Sequence, residues 1–118
     1  MLVGTRVGAL SHIESEGDVF IYGIGTLLAD AVPPADGLGL CVLLAERGRP
    51  VPAIQLDEGP IVYGPECYWG ELEVYEAVLT KAREAGRSIT AIDLLYERAH
   101  NTRDQGPVPK PEGLDEPA

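Results

Sequence analysis

The sequence predicts an α+β fold: a small, strongly bent antiparallel sheet, SH3-like or a partly open barrel, packed against one amphipathic helix. Three observations predict it. The chain of 118 residues carries 14 Gly and 10 Pro, which implies many turns and more strand than helix. Residues 53–64 read as a two-stranded hairpin. A single apolar stripe at helical spacing runs through 71–85.

Taken in order, Gly17-Asp18 reads as a turn, and Asp18 to Asp30 follows as a strand. Strict alternation would put Val19, Ile21, Gly23 and Gly25 on one side, with Phe20, Tyr22, Ile24 and Thr26 on the other. Two mid-strand glycines predict a bulge, a sharp bend or the close approach of another backbone. Pro33-Pro34 ends the strand. Residues 36–48 suit a short helix, with Asp36 as N-cap and Gly48 as the stop; the same run also suits a buried strand. After the connector Arg49-Pro50-Val51-Pro52, Ala53–Leu56 and Pro60–Gly64 flank an acidic turn, Asp57-Glu58-Gly59, which is a hairpin signal. Ile54 and Leu56 share one face. Glu66–Gly70 reads as a compact aromatic turn.

The helix over 71–85 places Leu72, Tyr75, Val78, Leu79, Ala82 and Ala85 on one stripe. Acidic residues open it and basic ones close it, which complements the helix dipole, and Gly86 stops it. Ser88 to Arg98 reads as a final strand, with a helix from Ala91 to His100 as the competing pattern. One domain over 2–103 accounts for all of this. The remainder, 104–118, holds prolines at 107, 109, 111 and 117 and only Val108 and Leu114 as large apolar residues; it reads as a flexible, acidic, Pro-rich tail.

Composition narrows the function. Nine Lys+Arg against nineteen Asp+Glu give a net charge of −10, which argues against any direct grip on nucleic-acid phosphates. No run approaches the roughly 20 apolar residues of a membrane span. Met1 to Leu10 carries only Arg6 as a charge and leads into no long apolar run, so a secretory signal is not expected. Cys41 and Cys67 are the only cysteines, too few for a secreted disulfide framework, and read as reduced thiols of a cytoplasmic protein. They could build zinc only if they converged with His12 and His100 from four distant positions, so no metal or other cofactor is expected.

Catalytic signals are weak throughout. Gly23-Ile24-Gly25 lacks the rest of a dinucleotide fingerprint. Asp57 and Glu58 sit at a hairpin tip, where carboxylates stay solvated and make poor acid–base catalysts. Glu14, Glu16 and Asp18 read as a solvated rim. Cys67 has no base fixed beside it, and Ser11, Ser15 and Ser88 occupy no nucleophile elbow. The densest spot is Glu66-Cys67-Tyr68-Trp69-Gly70. Two readings stay open there: Trp69 and Tyr63 pack beneath the helix, or Tyr22, Tyr63, Tyr68 and Trp69 line a shallow pocket beside the bend at Gly23 and Gly25, with Glu66 at its border.

Residues 17–72, through Gly-Asp-Val-Phe-Ile-Tyr-Gly-Ile-Gly-Thr, Val-Pro-Pro and Leu-Asp-Glu-Gly-Pro-Ile-Val-Tyr-Gly-Pro-Glu-Cys-Tyr-Trp-Gly, resemble small uncharacterised proteins of bacteriophages and related mobile elements. In that group a glycine-kinked strand precedes a Leu-Asp-x-Gly hairpin ending in Cys-x-Trp-Gly. The resemblance implies a phage origin and a shape, and no mechanism. Pro65 stands where the group has a cysteine, which removes paired-cysteine chemistry from what it implies.

The resulting expectation is a non-enzymatic accessory protein acting in the bacterial host cytoplasm. Its partner would be a host or viral protein with a basic surface, which an acidic inhibitor could block. The alternative is a protein that binds or sequesters a nucleotide signal, in a homo-oligomer whose Arg47, Arg49, Lys81, Arg83 and Arg87 converge on phosphate.

Overall fold

The computed structural model describes residues 1–100. The expected domain end at 103 and the Pro-rich tail 104–118 lie outside the described residues. The elements are β1 (Arg6–Ile13), β2 (Val19–Ala31), α1 (Cys41–Glu46), β3 (Val51–Leu56), β4 (Ile61–Tyr63), a one-turn 3-10 helix (Gly64–Glu66), β5 (Tyr68–Glu71), α2 (Leu72–Glu84), β6 (Ile89–Ala91) and α3 (Leu94–Ala99). Five strands pair antiparallel in the order β4-β3-β2-β1-β5. β6 joins β2 in parallel, Val19 opposite Ile89. This is the bent, unclosed sheet that the sequence predicts. Its two edges, β4 and β5, are joined by four residues, Gly64–Cys67.

β2 is the spine, and its glycines act as the pattern implies. Ala9 pairs with Gly23 while Leu10 pairs with Ile21, so Tyr22 is an extra residue on β2. Gly23 takes φ +123°, a backbone that side-chain-bearing residues rarely adopt. One step later Ser11 is the extra residue on β1, which restores the register. The bulge changes which side chains share a face. Tyr22 and Ile24, expected together, pack into different cores on opposite faces of the sheet. Gly25 lies flat on β3; a Cβ there would strike the Gln55 carbonyl.

One core holds Val7, Ala9, Leu27, Ile54, Leu56, Val62 and Leu94, bordered by Tyr22, Cys67 and Trp69. The other holds Leu10, Val19, Tyr75, Leu79 and Ala82, bordered by Ile21, Ile24 and Ile89. The second is the face that α2 covers. Tyr75 lies on Gly8, where a Cβ would overlap its ring, so the missing side chain sets how closely α2 approaches the sheet. Along the stripe Tyr75, Leu79 and Ala82 are buried, whereas Ala85 is exposed.

Both longer-range stops are Schellman motifs. Gly86 has φ +74°, with Gly86 N–H donating to Arg83 O and Arg87 N–H to Ala82 O. Gly48, φ +61°, ends α1 in the same way, through Ala45 O and Leu44 O.

Three expectations need correcting. The helix expected over 36–48 spans only 41–46, and its N-cap is Leu40 rather than Asp36, because Gly39 turns the chain at φ +60° after Asp36. The aromatic turn is instead strand β5, with Trp69 opposite Ala9 and Tyr68 opposite Leu10; consequently Gly70 lies in a strand and does not start α2. The final strand stops at Ala91, because Asp93 then caps α3 by accepting the Leu95 N–H at 2.9 Å. On the exposed acidic rim Asp18 also has a structural part: its carboxylate accepts the Ser88 N–H at 2.9 Å and ties the start of β6 to that of β2, and that bond lowers its pKa.

Candidate functional site

β3 and β6 lie along the same edge of β2. β3 covers it from Gly25 onward, and β6 covers it up to Ile21. The last bonds on either side are Asp57 N–H to Ile24 O, 3.0 Å, and Ile92 N–H to Ile21 O, 2.9 Å. Between them, neither β3 nor β6 pairs with Tyr22 and Gly23. Both neighbours leave the sheet here, β3 into the 57–60 turn and β6 into α3. The result is a cleft of about 1090 Å³, floored by β2 and walled by the turn, by residues 91–95 and by α2. Its size is at the upper end of small-molecule sites.

The floor is apolar, with Ile21 and Ile24, and Leu56 from β3 and Leu79 from α2 extend the apolar lining. The polar lining is Asp57, Glu58, Glu76, Thr80, Arg83 and Asp93, four carboxylates against one guanidinium. Two of these carboxylates are engaged. Asp93 caps α3, and Asp57 receives a two-pronged contact from Arg6, with Nη1 at 2.7 Å from Oδ1; Arg6 also reaches Thr26 Oγ1 at 3.0 Å. The Arg6 hydrogen bond holds the Asp57 carboxyl below its usual range. By contrast, the side chains of Glu58, Glu76 and Arg83 form no hydrogen bond or ion pair with any described residue.

The helix wall gives the cleft polarity. Tyr75 lies on Gly8, which pairs with Ile24, and Ala82 packs with Val19 and Ile89 in the same core. α2 therefore runs from the β3 end of the cleft toward its β6 end. Glu76 stands with Glu58 near the first, and Arg83 near the second. Glu76 and Arg83 are seven residues apart, two helical turns or about 10 Å, and share a face.

The residues singled out by sequence divide between places. Tyr22 and Gly23 line the cleft. Burial is the main reason the Tyr22 phenol is pushed up to about 12, with a Ser11 hydrogen bond opposing it. Gly25 is buried under β3. Trp69 borders the same core as Tyr22, whereas Tyr68, the next residue on β5, is 68% exposed. Tyr63 lies below the Arg98 guanidinium, 5.9 Å from the ring centroid. Glu66 is buried, and its carboxylate accepts Leu38 N–H and Tyr63 N–H at 3.0 Å each, Arg98 Nε at 2.8 Å and Arg98 Nη2 at 2.6 Å. These contacts join the loop before α1, β4 and α3. Glu58, Glu76, Thr80, Arg83 and Asp93 carry most of the cleft's polarity; Glu58 was weighed only as a hairpin-tip carboxylate and Arg83 only as a phosphate ligand, while Glu76, Thr80 and Asp93 were missed. The one available signal was the Glu76–Arg83 spacing on α2.

Other chemical groups stand apart. Cys41 and Cys67 are free thiols. Burial, with Glu66 nearby, pushes the Cys67 thiol up to about 12, which suppresses the thiolate a nucleophile needs. His12 stacks on Phe20 at 4.6 Å, with Nδ1 2.9 Å from Ser11 Oγ, and His100 stacks on Tyr96 at 3.9 Å. Among the described residues no three His, Cys, Asp or Glu side chains are grouped to hold a metal, and no helix is long and apolar enough to cross a membrane. The five basic residues considered for phosphate fall into two groups within one chain. Arg47 and Arg49 precede Val51, which pairs with Ala31, whereas Lys81, Arg83 and Arg87 lie toward Val19. About 40 Å of β2, measured along the strand, separates these ends. No protein-family model matches the chain, and no curated protein or solved structure is significantly similar to it.

Proposed function

We propose that this protein is a non-enzymatic binding module that receives a cationic segment of another protein in the cleft between β3 and β6. The observation that carries the reading is the combination of an apolar floor with Glu58 and Glu76, two carboxylates without a partner among the described residues. Apolar area supplies affinity, and unpaired charges on the lip select and steer a partner of opposite sign. The net charge of −10 extends that field over the whole surface. The reading includes the phage origin that residues 17–72 imply. It describes an accessory protein that acts in the host cytoplasm and inhibits a host or viral protein by covering its basic surface.

Titration of the isotope-labelled protein with an acetylated lysine-bearing peptide tests this. The amide signals of Gly23, Gly59 and Ile92 should shift. The response should weaken with salt and with the double substitution Glu58→Gln, Glu76→Gln. A glutamate-bearing peptide that shifts the same amides equally well would refute it.

A further inference from the structure

The polarity of the cleft says more about its occupant, on the premise that the cleft binds a cationic segment as proposed above. A uniformly basic stretch would not suit it. Arg83 stands at the β6 end with no hydrogen bond or ion pair to any described residue, and among the described residues it is the only guanidinium in the lining. A basic segment passing through would place like charge against it. An occupant that satisfies both ends carries a cation at Glu58 and Glu76 and an anion at Arg83, about 10 Å further along α2. An extended chain advances about 3.3 Å per residue, so that distance corresponds to three residues.

We infer that the cleft takes the C-terminal end of a partner protein, its terminal carboxylate at Arg83 and a Lys or Arg three residues earlier at Glu58 and Glu76. Arg is the side chain best suited to a carboxylate, which it can bind through two parallel N–H donors. The intervening residues lie over Ile21, Ile24 and Leu79, so they are apolar. A terminal carboxylate also ends the segment where Arg83 stands.

A dye-labelled peptide, Ser-Lys-Leu-Val-Leu with a free C-terminal carboxylate, provides the probe, read by fluorescence anisotropy at low ionic strength. Its C-terminal amide should bind the wild-type chain about ten-fold more weakly, the scale of one charge-assisted hydrogen bond. Arg83→Gln should abolish the difference between acid and amide by removing the partner of the terminal carboxylate. Glu76→Gln should weaken both peptides. If acid and amide bind the wild-type chain equally, or if the difference survives Arg83→Gln, the C-terminal assignment is overturned, while lysine-dependent binding of both would leave the cationic-segment reading standing. If folded protein binds neither peptide, both readings fall.

Discussion

Arg98→Met is the most informative single change away from the cleft. The Glu66 side chain has no exposed surface, and that of Arg98 has 11%. Besides its bonds to Glu66, Arg98 Nη2 donates to the Ile61 carbonyl at 2.9 Å. The substitution keeps most of the aliphatic volume and removes the charge. It leaves Glu66 buried with only the Leu38 and Tyr63 N–H groups. Breaking a buried pair from one side costs about 3–5 kcal/mol, a large share of the roughly 5–15 kcal/mol that stabilises a domain. Equilibrium urea unfolding, followed by far-UV circular dichroism and Trp69 emission, should show a midpoint lower by about 2–3 M for a slope near 1.5 kcal/mol/M. Adding Glu66→Gln removes the unpaired charge and still offers one carbonyl to the two N–H groups, so the double variant should recover at least about 1 kcal/mol relative to the sum of the single losses. A loss below about 1 kcal/mol for Arg98→Met, or strict additivity in the cycle, would refute the coupling of α3 to the sheet through this pair.

Two further outcomes follow from the described geometry. Trp69→Ala should cost about 2–3 kcal/mol, because its ring borders the core, whereas Tyr68→Ala should stay within about 0.5 kcal/mol; equal losses in thermal melts would contradict the assignment of opposite faces. Asp57→Asn should lower the melting temperature slightly at neutral pH. The folded carboxyl titrates below its ordinary value of 3.8, so its contribution is complete above that value and disappears as pH falls through the folded one. The gap between wild type and variant should therefore close in acid, and a gap that persists there would exclude the Arg6 contact as its source.

What could be read from the sequence was local. The 57–60 turn, the alternation around it and the glycines that stop α1 and α2 each act within a few residues, so pattern and structure agree. β5 escaped because Tyr68–Glu71 is a strand only by pairing with Val7–Leu10, some sixty residues earlier. β6 and α3 are three and six residues long, too short for either periodicity to stand out. The faces of β2 were misassigned past Tyr22 because one extra residue reverses every later side chain. The same limit hid the cleft. It arises where two strands distant in sequence share one edge of a third, and no local pattern encodes that. Part of its position was legible all the same, since Gly23 was singled out for the bend beneath it and Tyr22 for a pocket beside that bend.

The short passage from β4 to β5 also accounts for the curl of the sheet. Laid flat, five strands would hold their outer members about 19 Å apart. From Tyr63 to Tyr68 the backbone includes a 3-10 turn and can stretch only about 14 Å. A planar arrangement is therefore out of reach, and the covalent tether itself rolls the edges toward each other. Opposing edges brought this close leave little room for a foreign strand to add, so the same tether shields the molecule from edge-to-edge self-association.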